Sequence, residues 1–99
     1  MKPILELTKA EHESLRATYN RLKAYTKGLP KSDWFVDLKR RSGYASYSFS
    51  GEVSDSLLGR LGRMPTADEI IMLVDGGFSN FGAECAISGR RFAGKVYID

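Results

Sequence analysis

A chain of 99 residues that is 42% hydrophobic and 27% charged has the make-up of one folded domain and excludes a disordered one. Its single Cys and single His exclude an internal disulfide framework and a Cys₄ or Cys₂His₂ zinc site. The net charge of +3 is uneven: residues 1–50 carry +5, residues 51–99 carry −2, and residues 16–41 alone reach +6.

The N-terminal Met1-Lys2-Pro3-Ile4-Leu5-Glu6 meets a carboxylate too early for a secretory leader. Thr8-Lys9-Ala10-Glu11 has the form of a capping box, in which hydroxyl and carboxylate each accept an otherwise unpaired backbone N–H. Leu15, Tyr19, Leu22 and Thr26 follow at helical spacing with Tyr25 alongside, and Gly28 and Pro30 close the segment. The spacing predicts an amphipathic helix over residues 9–27.

Residues 31–43 read two ways. Ser32 can cap a short helix with Trp34 and Leu38 on one face and Lys39, Arg40 and Arg41 at its end. Trp34-Phe35-Val36 is also strand-favouring composition. The short helix is the reading adopted. Residues 44–53, rich in aromatics and hydroxyls, read as a strand. Short helices are expected around 55–63, despite Gly59 and Gly62, and around 67–75, where Thr66-Ala67-Asp68-Glu69 is a second capping box. The run Ile70-Ile71-Met72-Leu73-Val74 is the longest wholly apolar stretch, far below the roughly 20 residues that span a bilayer. Strands at 82–87 and 91–98 form an expected C-terminal hairpin. Phe49-Ser50-Gly51-Glu52-Val53 and Phe92-Ala93-Gly94-Lys95-Val96 echo one another, each with a strand-interior Gly that marks a bulge or a close approach.

Catalytic patterns are weak. A thiol–imidazole pair would have to use both Cys85 and His12, and Cys85 falls in register with Phe81, Ala83 and Ile87 as a small apolar residue. Acidic pairs at Glu11/Glu13 and Asp68/Glu69 sit at helix starts, where capping accounts for them. The Gly-rich stretch 75–82 follows a helix and matches no phosphate-binding loop. No catalytic, cofactor or metal site is assigned.

Binding chemistry is better supplied. Basic groups interleave with seven of the eleven aromatics between residues 19 and 49, which suits a solvated face over an aromatic core or an anionic partner. The candidate contacts are Arg16, Lys23, Lys27, Lys39, Arg40, Arg41, Arg60 and Arg63, with Tyr44 and Tyr47 as aromatic anchors or stacking platforms. Arg90-Arg91, at the expected hairpin turn, reads as solvated. The expected fold class is α+β, an amphipathic N-terminal helix packed on a small antiparallel sheet with one or two additional short helices. The expected function is that of a non-enzymatic, cytoplasmic, non-membrane protein that binds and blocks or modulates a partner. That partner is an acidic surface of a protein or ribonucleoprotein complex, with direct nucleic-acid binding as the alternative. Short α+β chains without enzymatic equipment are frequent among phage and mobile-element proteins that occlude host machines, CRISPR effectors included. A homodimer through sheet edges is also open.

Overall fold

The computed structural model describes residues 1–98, in an α+β arrangement of three helices and a four-stranded antiparallel sheet. Both capping boxes close as the sequence predicts. Thr8 Oγ1 accepts the Glu11 N–H and the Glu11 carboxylate accepts the Thr8 N–H, starting helix α1 at Lys9–Tyr25. The helix stops just short of Lys27, where the Thr26 hydroxyl donates back to the Leu22 carbonyl and Gly28 turns the chain at φ +80°. Thr66 and Glu69 repeat the box at the start of α3, Ala67–Asp75, which ends on a left-handed Gly76.

Residues 31–43 are not helical. Only a single 3₁₀ turn forms at Lys31–Asp33, and the chain then enters strand β1, Phe35–Gly43. The cause is a bulge. Pairing with β2, Ser46–Val53, slips between Val36 and Lys39, with Asp37 at φ +53°. The extra residue brings Leu38 to the core side, where Trp34 also packs, and the four-residue interval between them imitates helical periodicity. The two strands join through Tyr44 and Ala45, and Ala45 sits at φ +59° without the side-chain freedom of glycine. Ala45→Gly is therefore expected to raise stability by about 0.5–1 kcal/mol, seen as a higher denaturant midpoint at unchanged slope.

Helix α2, Asp55–Leu61, starts on Ser54, whose hydroxyl accepts the Leu57 N–H and donates to the Asp33 carbonyl. Strands β3, Ala83–Ser88, and β4, Arg91–Tyr97, form the C-terminal hairpin. The sheet order is β1-β2-β4-β3, so β2 and β4 are central and β1 and β3 are edges.

The core lies between α3 and one face of this sheet. Ile70, Ile71, Met72, Leu73 and Val74 of α3 are all buried, with Phe49 and Val53 of β2, Phe92 and Val96 of β4, and Leu57 of α2. Helix α1 lies beside α3, inserting Leu22 into the same core and donating the Tyr19 hydroxyl to the Gly76 carbonyl at 2.8 Å. The two echoing segments meet at the centre. Phe49 is the register partner of Gly94, and Gly51 is the partner of Phe92, so each ring lies across the other strand's glycine. The ladder between β2 and β4 carries no register shift, and the glycines therefore serve a close approach rather than a bulge.

Candidate binding surface

All three helices leave the second face of the sheet uncovered, and strand alternation decides which residues occupy it. Phe49, Val53, Phe92 and Val96 point toward α3, so their neighbours Ser48, Ser50, Arg91, Ala93 and Lys95 point away. Cross-strand register then builds a grid. One row runs Lys39, Ser50, Ala93, Ala86, and the next runs Arg41, Ser48, Lys95, Glu84. Beyond the first row, Glu52 stands opposite Arg91.

The central positions of this grid are short hydroxyl or methyl side chains, and the long ones stand around them. A shallow trough of about 640 Å³ crosses the strands between Lys39, Glu52 and Arg91, over Ser50, Ala86 and Ala93. Lys39, Arg41, Arg91 and Lys95 are all exposed, and among the described residues none forms an ion pair within 4.0 Å. Glu52 and Glu84 are the acidic side chains of the grid, and Glu84 accepts the Tyr97 hydroxyl at 3.1 Å, which raises the Tyr97 pKa. Asp37, exposed at the bulge of β1, also lines the trough, so four cations stand against three carboxylates and the face keeps only a small positive excess.

The candidate residues of the basic stretch do not form one patch. Arg16 and Lys23 are exposed on α1, on the helical side of the molecule, with the Lys23 ammonium 5.0 Å from the centre of the Tyr19 ring. Lys27 follows α1 in the turn beside it, also exposed. Lys39 and Arg41 lie on the open sheet face. Arg40, between them, points to the opposite side and donates to the Val74 carbonyl at the end of α3, 2.7 Å away. Tyr44 stands at the β1–β2 turn with 98% of its surface exposed. Tyr47 instead packs against the core edge and donates its hydroxyl to Asp75. Burial and then the Asp75 carboxylate push its pKa up, so the phenol stays protonated and its ring does not serve as a free platform.

The remaining arginines hold the fold together. Arg60, in the last turn of α2, donates to the Lys27 carbonyl at 2.8 Å. Arg63 makes a two-pronged bond to the buried Glu69 carboxylate, at 2.6 and 2.9 Å. The left-handed Gly62 between them separates the pair that helical spacing placed on one face. Arg90 donates twice to the Val53 carbonyl and pairs with Asp55 at 2.7 Å, and only its neighbour Arg91 reaches the open face. Sequence reasoning set Arg91 aside with Arg90 as a solvated turn and passed over Lys95, although the alternation of Arg91-Phe92-Ala93-Gly94-Lys95-Val96 was the signal for both.

The nucleophile candidates stay apart. Cys85 is half-buried on the helical side of β3, and burial raises its thiol pKa, while the His12 ring packs edge-on against Phe78. No helix among the described residues is long and apolar enough to cross a membrane. Compared with protein-family models, curated proteins and solved structures, the chain has no match.

Proposed function

We propose that this chain is a non-enzymatic binding protein that holds an acidic macromolecular partner against the open face of its sheet. One observation carries the reading: Lys39, Arg41, Arg91 and Lys95 stand without an ion pair among the described residues, around a floor of Ser48, Ser50, Ala86 and Ala93. Long cations steer an anionic surface inward, and short floor residues let it approach the strands closely. The partner class is an acidic surface of a protein or ribonucleoprotein complex, and a chain seated there masks the surface it covers. Arg16 and Lys23, on the other side of the sheet, lie outside this contact.

Direct nucleic-acid binding is the second reading, favoured by the exposed Tyr44 ring near Arg41 in sequence and by Tyr97 beside the same grid. Both readings use Lys39 and Arg41, and salt separates them. Titration with poly-L-glutamate, followed by backbone amide shifts, is expected to perturb Lys39, Arg41, Ser48, Ser50, Ala93 and Lys95, with α1 unmoved. The Lys39→Glu/Arg41→Glu variant is expected to weaken that binding about tenfold or more. A single-stranded oligonucleotide that binds at about 50 mM salt and loses about 10³-fold or more by 200 mM selects the nucleic-acid reading. Shifts confined to α1, or binding unchanged by the double charge reversal, would overturn the open face as the interface.

A further inference from the structure

We infer that the open face takes an extended segment of its partner in one register, with carboxylates at two alternate positions and a cation two residues further on. The inference rests on the open face being the interface and specifies what lies along it. It starts from the way charge is distributed on either side of β2.

Cross-strand register sorts the charged side chains into three steps along that strand. At Ser48 the flanking neighbours are Arg41 on β1 and Lys95 on β4, two cations. At Ser50 they are Lys39 and Ala93, a single cation. At Glu52 the β4 neighbour is Arg91, and Asp37 stands at the bulge on the β1 side, so two carboxylates meet one guanidinium. The formal charge therefore runs +2, +1 and −1 from Ser48 to Glu52. Glu84, the remaining acid of this face, lies one strand beyond Lys95 and accepts the Tyr97 hydroxyl. None of the charged groups at the three steps forms an ion pair within 4.0 Å among the described residues.

The steps are two residues apart, and that interval selects the shape of the occupant. Strands rise about 3.2–3.4 Å per residue, so the steps recur at roughly 6.4–6.8 Å. An extended segment laid along β2 has the same rise, and its alternate side chains keep pace with all three steps. A helix presents residues four apart at roughly 6.0 Å, but it also needs somewhere to lay an apolar stripe. Ser48 and Ser50 offer none. Their short, partly exposed hydroxyl side chains instead let an extended backbone lie low between the flanking cations, where they can hydrogen-bond to it.

Charge complementarity then fixes the order of side chains. Acid, acid and base over Ser48, Ser50 and Glu52 set every charge against its opposite. Exchanging the last two sets a cation against Lys39 and a carboxylate against Glu52 and Asp37. A uniformly acidic segment gains at two steps and loses at the third, so the third step supplies the discrimination.

Two capped peptides of equal composition and net charge test this register. One is acetyl-Ser-Glu-Ser-Glu-Ser-Lys-Ser amide, and the other is its permutation acetyl-Ser-Glu-Ser-Lys-Ser-Glu-Ser amide. Followed by backbone amide shifts at about 50 mM salt, the first is expected to bind over Ser48, Ser50 and Glu52 about fivefold or more tighter than the second. The isosteric Asp37→Asn/Glu52→Gln variant changes the three steps to +2, +1 and +1, which favours neither order. In that variant the two peptides are expected to bind within about twofold of each other. Both side chains lie on the open face and Asn accepts the left-handed backbone at position 37, so circular dichroism is expected to stay unchanged. Equal binding of the two peptides to the wild-type chain, or discrimination that survives in the variant, overturns the inference. So does tighter binding by an alanine-based helix carrying the same charges four residues apart, or silence of both peptides where poly-L-glutamate binds. Each of these leaves the open face standing as the interface. If poly-L-glutamate and both peptides all leave it unmoved, the reading beneath falls too.

Discussion

Gly94→Ala is expected to cost about 3 kcal/mol, the largest effect of any single methyl group in this protein. A Cβ at Gly94 would fall inside van der Waals contact of the Glu84 carbonyl oxygen, 2.7 Å from Phe49 Cζ and 3.0 Å from Cys85 Cα. Two of these three neighbours are backbone of the adjoining strand, so rotation of a side chain cannot relieve the clash. Either β3 moves away from β4 or the Phe49 ring leaves its place over the glycine. Gly51→Ala provides the control, since its Cβ meets Phe92 Cζ at 3.0 Å and the Leu38 backbone at 3.3 Å. The looser fit predicts a cost of about 1 kcal/mol. Urea titrations of both variants rank the two sites, and equal midpoints would contradict the account.

Arg63→Ala is expected to cost about 2 kcal/mol at neutral pH, by leaving a buried carboxylate without its counter-ion. Glu69 is 5% exposed, and its pKa is lowered chiefly by the Arg63 hydrogen bonds, against a burial effect that raises it. A carboxyl with a depressed folded-state pKa contributes stability that is complete above its unfolded value, about 4.3, and fades as pH falls through the folded one. Without Arg63 the desolvated group is easier to protonate, and protonation relieves the unpaired charge. The gap between wild type and variant is therefore expected to be constant near neutrality and to narrow below about pH 4. The Thr66 N–H still donates to Glu69, at 2.9 Å, so the start of α3 survives and the loss stays partial. Thermal unfolding across the pH range measures this, and a gap that widens in acid would refute the assignment.

Local signals were the legible ones. Thr8/Glu11 and Thr66/Glu69 announced two helices, because a capping box is complete within four residues. The alternation around Cys85 and Val96 announced the hairpin for the same reason. Strand β1 was not legible, because the bulge that brings Leu38 to the core side with Trp34, like neighbours on a helix, is set by pairing with β2. The same limit applies to the surface. Lys39-Arg40-Arg41 is one cluster along the chain and two opposite directions in the strand. Arg60, Arg63 and Arg90 looked free because the groups they bind, at Lys27, Glu69 and Val53, lie outside their own segments. Half of the open face, Arg91 and Lys95, could have been read from alternation alone. Its partnership with Lys39 and Arg41 depends on a pairing between segments some fifty residues apart.

The seam between β2 and β4 also has a consequence for the order of folding. Hairpins β1–β2 and β3–β4 each close over a short turn, whereas joining them requires the chain through α2 and α3 to loop back. Loop closure of that length is the slow, entropy-limited event, and local hairpins can form well before it. At that junction the reciprocal ring-over-glycine contacts, Phe49 on Gly94 and Phe92 on Gly51, act as a two-point latch whose halves come from different hairpins. Neither half has anything to hold until both hairpins exist, so the latch rewards only the correctly aligned encounter.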